Sequence, residues 1–306
     1  MDKLVMSLYA KGMTTRDINA TVEEIYGKKY SPQQVTLIAQ EVEDERKAWE
    51  KRELKNRYIA IFIDALFVNI RRGDTVSKDA VYVISGIDDA GYREILGIYI
   101  GASESANFWK EVFSDVKERG VREVLLFVSD GLTGIEQIIN EAFPRAGVQL
   151  CVVHQLRNSL NRVRPKDREK VAIKLKEVYT SKSLPEAKEK LLKMQDEIKR
   201  VYPRLLTRWF DKLEYLMRFL TFPEYLRPHL YSTNWLERIN KDFRKVLKNK
   251  NSMPSEDAVR NLLYLKIRDL TKRYERQRLN GFVAYQVDLE LLWEKQYGEN
   301  RFTQST

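Results

Sequence analysis

The chain has 306 residues, enough for two domains and a buried core, and 32% of them are charged. No apolar stretch approaches the roughly 18 residues that a membrane span needs, and no secretory signal follows Met1. The single cysteine, Cys151, excludes an intramolecular disulfide and fits a reducing compartment. These features exclude the membrane and disulfide-rich secreted classes, and they predict a soluble cytoplasmic protein.

The positive charge is concentrated in one half of the chain. Residues 155–280 contain 32 Lys and Arg against 16 Asp and Glu, a net charge of +16. Since the whole chain carries +10, the remaining residues carry −6. A basic half of this kind predicts a nucleic-acid partner, because its field attracts phosphate. The alternative is a solvated helical surface that happens to be basic.

The first 55 residues show two helical segments. Thr14 or Thr15 is placed to cap a helix that runs to about Tyr26, and Gly27 ends it. Residues 31–34, Ser-Pro-Gln-Gln, have the cap, the first-turn proline and the capping-box glutamine of a second helix. Two helices joined by a short turn suit a helix-turn-helix DNA reader. They equally suit a small helical hairpin.

Two short apolar strands each run into an aspartate. Residues 58–63 are rich in Ile, Phe and Tyr and precede Asp64, and residues 124–128 precede Ser129 and Asp130. Such runs are typical of strands buried on both faces, where an unpaired carboxylate is costly. Either Asp could be a cap or turn residue. Because the pattern occurs twice, it also predicts two carboxylates side by side at one edge of a sheet.

The elements around these strands define a topology. Strands at 80–87 and 92–100 follow the first strand as an antiparallel meander joined by the turn at 88–91. Helices at 105–118 and 133–143 flank the fourth strand, and a fifth strand at 148–153 ends in His154. The order β-β-β-α-β-α-β is that of the ribonuclease H-like α/β sheet. By analogy with that fold, the first and fourth strands are neighbours, which brings Asp64 and Asp130 together.

The chain becomes helical after His154. Residues 155–222 contain no Gly and show helical apolar spacing, and a further helix at 234–247 carries Glu237 beside its apolar face. Glu237 fits a solvated first-turn residue that interacts with the helix dipole. It equally fits a third member of a carboxylate site. Another helix spans 256–276, and residues 297–306 look frayed.

Asp64, Asp130 and Glu237 together form an Asp-Asp-Glu set. Carboxylates of this kind hold two Mg²⁺ ions, with Mn²⁺ as a substitute, because these hard cations prefer oxygen ligands. A pair of such ions about 3.5–4 Å apart supports in-line phosphoryl transfer. The basic half of the chain would bring in a DNA backbone. The set therefore predicts two-metal chemistry on double-stranded DNA.

Five segments carry a family resemblance, and they lie at residues 6–18, 58–65, 128–132, 151–158 and 232–245. In these segments the chain resembles the prokaryotic mutator-type insertion-sequence transposases, an Asp-Asp-Glu class with a ribonuclease H-like catalytic domain. The similarity covers roughly residues 4–275. It implies that Asp64, Asp130 and Glu237 are the catalytic metal ligands. It also implies cleavage at transposon terminal inverted repeats, strand transfer of the freed 3′-hydroxyl into target DNA, and a homodimer in the nucleoid.

The resemblance extends to Cys151 and His154, which match the Cys-x-x-His signature of the family. A zinc site is disfavoured because zinc needs four ligands, and the chain has one Cys and one other His, His229. An ordinary strand-end His is the plainer interpretation. We expect His154 to lie near the metal site as part of the catalytic set. The residues expected to contact DNA are Arg157, Asn158, Arg238, Lys241, Arg244, Lys245 and Lys248.

The resemblance also predicts a domain organisation. Asp130 and Glu237 are 107 residues apart, as in members that insert an all-helical domain before the Glu. The predicted segments are a DNA-binding part at 1–55, the catalytic domain at 56–158 and 231–280, the insertion at 159–230, and a tail at 281–306. Family members usually carry a further N-terminal segment, so some end recognition is expected to be missing. A stand-alone ribonuclease H-like nuclease and an inert transposase-derived DNA-binding protein are the alternatives.

Overall fold

A computed structural model describes residues 5, 6, 8, 13, 15–27, 32–101, 105–131, 134–248, 251–274, 276–280 and 282–298. The predicted helix starts at Thr14, Ser31 and Thr133 lie outside these residues, as do residues 281 and 299–306 of the predicted tail. The predicted helices nevertheless appear where the sequence places them. The cap of the helix at 106–118 is directly visible, because Ser105 Oγ accepts a hydrogen bond from the Phe108 amide at 3.2 Å.

The described elements follow the predicted order, with five strands and helices on either side of them. The strands are β1 Arg57–Arg72, β2 Thr75–Asp88, β3 Arg93–Gly101, β4 Glu123–Ser129 and β5 Gly147–Leu150. The helices in the first half are α1 Thr15–Tyr26, α2 Pro32–Glu50, α3 Ala106–Glu118, α4 Ile135–Ala142 and α5 Val152–Leu160. Those in the second half are α6 Arg168–Tyr179, α7 Leu184–Ile198, α8 Thr207–Asp211, α9 Leu213–Leu216, α10 Arg227–Leu230, α11 Asn234–Lys248, α12 Glu256–Tyr274 and α13 Gln286–Tyr297.

The sheet is mixed, with the strand order β3-β2-β1-β4-β5. Strands β1, β2 and β3 form the predicted antiparallel meander, while β4 lies parallel to β1 and β5 lies parallel to β4. The predicted adjacency of the first and fourth strands is therefore confirmed. A mixed α/β fold is what the sequence pattern indicates.

Strand β1 has two halves with different neighbours. From Tyr58 to Ile63 the strand lies between β2 and β4 and is wholly buried, as expected for a central strand. Past Ile63, β1 pairs with β2 alone among the described strands, and its residues alternate between buried and exposed. The expectation that this strand ends at Asp64 is therefore wrong. Asp64 marks the end of the β1–β4 ladder, while the backbone continues to Arg72.

Two hydrophobic cores cover opposite faces of the sheet. One core packs α3 and α4 on the face that carries Ile61, Ile63 and Phe127. The other core packs α11, α12 and the helices of the 159–230 segment on the face that carries Phe62, Leu66 and Val128. Because side chains alternate along a strand, even-numbered β1 residues from Ala60 onward, past a register shift at the strand's start, point toward α11. Asp64 belongs to that set.

The N-terminal helices are joined to the rest of the molecule through α2. Arg46 is 3% exposed, and it donates to Asn261 Oδ1 at 2.6 Å and pairs with Asp257 at 2.9 Å, both on α12. A buried guanidinium must be paired in this way to offset its desolvation. Among the described residues, no helix combines the length and the apolarity required to cross a bilayer.

Candidate active site

Asp64 and Asp130 occupy equivalent positions on neighbouring parallel strands. The last register pair between β1 and β4 joins Ile63 and Ser129. Asp64 is the next residue along β1, Asp130 directly follows the last residue of β4, and neighbouring strands lie about 4.8 Å apart. Asp64 lies on the face covered by α11, where it contacts Asn240, and the Asp130 charge is close enough to act on both Asp64 and His154. The structure therefore brings these two predicted residues together.

The carboxylate of Asp64 is buried at this position. Its residue is 4% exposed, and its Oδ2 accepts a hydrogen bond from Asn240 Nδ2 on α11 at 2.8 Å. Burial raises the pKa of Asp64 to about 6, and the nearby Asp130 charge acts in the same direction. His154 opposes the rise. Two carboxylates side by side at the end of the β1–β4 ladder favour a cation between them.

The predicted fifth strand ends earlier than expected, and this changes the place of His154. Strand β5 stops at Leu150, and Cys151 becomes the N-cap of α5, with its Sγ accepting a hydrogen bond from the His154 amide at 3.5 Å. His154 thus lies in the first turn of a helix and not on a strand end. The segment 148–153 is therefore divided between the end of β5 and the start of α5. A short apolar run alone does not tell a strand from a helix.

A small polar cluster fixes the His154 ring. Thr233, just before α11, donates its amide to Cys151 Sγ at 3.4 Å, and its Oγ1 lies 3.5 Å from His154 Nδ1. The hydrogen bond with Cys151 and the carboxylates of Asp64 and Asp130 raise the pKa of His154 to about 9. A positively charged imidazole beside two carboxylates partly offsets their charge. The structure thus places His154 at the predicted edge of the sheet.

Glu237 lies in the first turn of α11 and faces α5. Its Oε1 is 2.5 Å from Arg157 Nη1 and 3.6 Å from His154 Nε2. The Glu237 side chain is 21% exposed, so this ion pair stands at the surface of the site. Among the described residues, no three His, Cys, Asp or Glu side chains are close enough to hold one metal ion. The structure places Glu237 next to His154. The carboxylates of Asp64, Asp130 and Glu237 are not close enough together to bind one metal ion.

The predicted DNA-contacting residues line two exposed helix faces. Asn158 is exposed on α5, and the Arg157 side chain is 54% exposed even in its ion pair. Exposed cations on α11 continue from the site, although Lys245 pairs with Asp242 at 3.3 Å. They are Arg238, Lys241, Arg244 and Lys245. The side chain of Lys248, the last residue of α11, lies outside the described part.

Two residues of the site, Asn240 and Thr233, did not come out of the sequence analysis as site residues. Asn240 sits among Leu236, Ile239 and Phe243 on the apolar face of α11, and it is fully buried. A polar amide at an apolar position of an amphipathic helix is a signal that sequence can carry, because burying it is costly without partners. Thr233 directly precedes α11, and its contact with Cys151 spans 82 residues, which neither segment alone reveals.

Comparison with known proteins gives one family across most of the chain. The family model described as "Transposase, Mutator family" matches residues 1–277. The transposase for insertion sequence element ISRM3 of Rhizobium meliloti is 35% identical over 277 residues, which cover 90% of this chain and 69% of that protein. The transposase for IS1201 of Lactobacillus helveticus is 31% identical, covering 85% and 70%. The transposase for IS905 of Lactococcus lactis is 30% identical, covering 96% and 75%.

Proposed function

Because the chain belongs to the Mutator family of transposases, we propose that it acts by metal-dependent phosphoryl transfer on DNA. It cleaves at the terminal inverted repeats of its element and joins the freed 3′-hydroxyl to target DNA. The observation that carries this proposal is the register of β1 and β4, which sets Asp64 beside Asp130 on the face covered by the Glu237 helix. The five-stranded mixed sheet is then a ribonuclease H-like sheet, with its carboxylates at the end of the β1–β4 ladder.

The donor set fits Mg²⁺ or Mn²⁺. Asp64 and Asp130 offer only oxygen donors, which these ions prefer. The raised pKa of Asp64 reflects a buried charge, and its side-chain partner is the neutral amide of Asn240. Within the described ranges, no Lys or Arg forms an ion pair with Asp64. A pair of bound metal ions would activate the attacking hydroxyl and stabilise the leaving oxygen.

Glu237 supplies the third carboxylate of this set. In the DNA-free chain it pairs with Arg157, which keeps it apart from the two aspartates. A DNA phosphate entering the site competes for the same guanidinium, because Arg binds phosphate and carboxylate through the same bidentate geometry. Arg157 then holds the DNA backbone, and Glu237 becomes available to the metal site.

His154 and the cations of α11 serve the substrate in this proposal. His154 carries a positive charge at neutral pH, since its pKa is raised to about 9, and it lies next to the carboxylates where a scissile phosphate must bind. The exposed cations of α11 and Asn158 of α5 extend this contact along the DNA backbone. Phosphate contacts of this kind position the duplex without reading its sequence.

The remaining parts of the chain take the roles that the family resemblance implies. Residues 1–55 contribute to end recognition, residues 56–158 and 231–280 form the catalytic domain, and residues 159–230 form the helical insertion. Residues 281–306 form the C-terminal tail. A homodimer joins the two transposon ends, and the DNA partner places the protein at the nucleoid.

Cleavage and strand transfer on a labelled duplex with the element's own ends test this function. The wild type is expected to give joined products with Mg²⁺ or Mn²⁺ and none with EDTA. Asp130→Asn is expected to abolish both reactions and to bind DNA at least as tightly, because a metal ligand and one negative charge are lost. Asp269→Asn, which changes an exposed carboxylate on α12, is the matched control and should react normally. Normal cutting by Asp130→Asn would refute the site assignment, and products without strand transfer would indicate a nuclease.

A further inference from the structure

Asn240 is a buried amide in the middle of an apolar helix face. It is 0% exposed and lies between Leu236 and Phe243, which are both fully buried in the core between α11 and the sheet. Burying an amide costs free energy unless its polar atoms find partners. An apolar residue at this position would pack without that cost, so the amide calls for a further explanation.

The two ends of the amide have different surroundings. Its Nδ2 donates to Asp64 Oδ2 at 2.8 Å, and this contact ties α11 to β1. Since an ionised carboxylate only accepts hydrogen bonds, the donor end must face Asp64. The acceptor end, Oδ1, is buried and has no hydrogen-bond partner within the described part of the chain. A buried acceptor of this kind indicates that a donor is supplied by something that binds at the site.

We infer that Asn240 is a positioning residue of the metal site, which orients Asp64 through Nδ2 and accepts a hydrogen bond from a metal-coordinated water through Oδ1. The inference rests on the proposed function, because it needs a metal ion beside Asp64. Asn240 also follows Glu237 by three residues, one helical turn along α11. The amide therefore couples the helix of the third carboxylate to the strand of the first. Partners that orient metal ligands in this way commonly contribute 10- to 100-fold to metal affinity.

The test compares two substitutions of a buried amide by an apolar residue of similar size, Asn240→Leu and Gln149→Met. Gln149 is also 0% exposed, but its amide is used for structure alone. Its Nε2 donates to the Leu216 carbonyl, and its Oε1 accepts from the Phe219 amide, both at 2.8 Å. Gln149→Met therefore reports what losing a structural amide does. Asn240→Ser, whose side chain is too short to reach Asp64, serves if Asn240→Leu does not fold.

The measurement is Mn²⁺ affinity by electron paramagnetic resonance on the full chain without DNA, with urea unfolding alongside. We expect Asn240→Leu to weaken Mn²⁺ binding by about 10- to 100-fold. We expect Gln149→Met to lower stability with Mn²⁺ affinity within about twofold of the wild type. If Asn240→Leu binds Mn²⁺ as tightly as the wild type while Asp64→Ala no longer binds it, this inference alone is overturned. If the wild type binds no Mn²⁺, or if Asp64→Ala binds as tightly as the wild type, the proposed function fails together with it.

Discussion

Replacing Asp64 by Asn should stabilise the metal-free protein while abolishing its response to metal. The wild-type carboxyl has its pKa raised from 3.8 to about 6 by burial, which disfavours its charged form in the folded state by about 3 kcal/mol at neutral pH. Asn has nearly the same shape, and its carbonyl oxygen can accept the hydrogen bond from Asn240. The variant therefore avoids the cost of the buried charge and keeps the contact.

The stability difference between the wild type and Asp64→Asn should depend on pH. Between about pH 4 and pH 6 the native state holds a proton on Asp64 that the unfolded state has released. The contribution of Asp64 to the stability of the wild type therefore falls as the pH rises through that window. Asp64→Asn should lack this fall, so the difference between the two proteins grows to about 2–3 kcal/mol at pH 7 and shrinks toward pH 4.

Urea unfolding in EDTA and in Mg²⁺, followed from pH 4 to pH 7, measures these quantities. We expect Mg²⁺ to raise the free energy of unfolding of the wild type, because a ligand stabilises the state that binds it. Asp64→Asn should show no such rise. Asp211→Asn, an exposed carboxylate on α8, should behave as the wild type in both buffers. A metal-free Asp64→Asn that is less stable than the wild type at pH 7 would refute the reasoning.

Three further changes test other parts of the account. Arg157→Ala should tighten Mn²⁺ binding in the absence of DNA, because it releases Glu237 from the ion pair at 2.5 Å. Replacing the exposed Arg162 by Ala is the control. Unchanged Mn²⁺ affinity in Arg157→Ala would count against a role for Glu237. Arg244→Ala should lower the slope of log DNA affinity against log salt by about 0.9, and an unchanged slope would remove this residue from the DNA interface. Gly131→Ala and Gly134→Ala should each lower the free energy of unfolding by about 1 kcal/mol or more, because both glycines have positive φ. A Cβ at Gly131 also meets Arg208 Nη2 at 2.6 Å, but this atom is the tip of a flexible side chain that can move aside, so the two losses in urea unfolding should be similar. A much larger loss for Gly131→Ala would show that Arg208 is held rigidly in place.

That Asp64 and Asp130 each follow a buried strand could be predicted because strand chemistry is local, whereas their being neighbours was expected from analogy with the ribonuclease H-like sheet. The apolar runs that end at Asp64 and Asp130 specify buried strands, and an adjacent parallel pair sets their register. The length of β1 could not be predicted in the same way. Its second half is stabilised by a long hairpin with β2, and the residues past Asp64 alternate in burial only because β4 has ended.

The parts that escaped prediction depend on contacts between distant segments. Arg157 and Glu237 are 80 residues apart, so their ion pair is invisible in either segment alone. His154 was expected on a strand, but Cys151 caps a helix at that point. Asn240 carried a signal that the sequence analysis did not use, since it is the polar member of an apolar helix face.

The position of the metal ion is the most direct test of the central claim. Anomalous scattering from Mn²⁺ in crystals of the wild-type protein with transposon-end DNA would locate it without reference to activity. We predict a peak in contact with the carboxylates of both Asp64 and Asp130, with Glu237 turned away from Arg157. A peak bound elsewhere, or none beside these carboxylates while DNA occupies the site, would contradict the account.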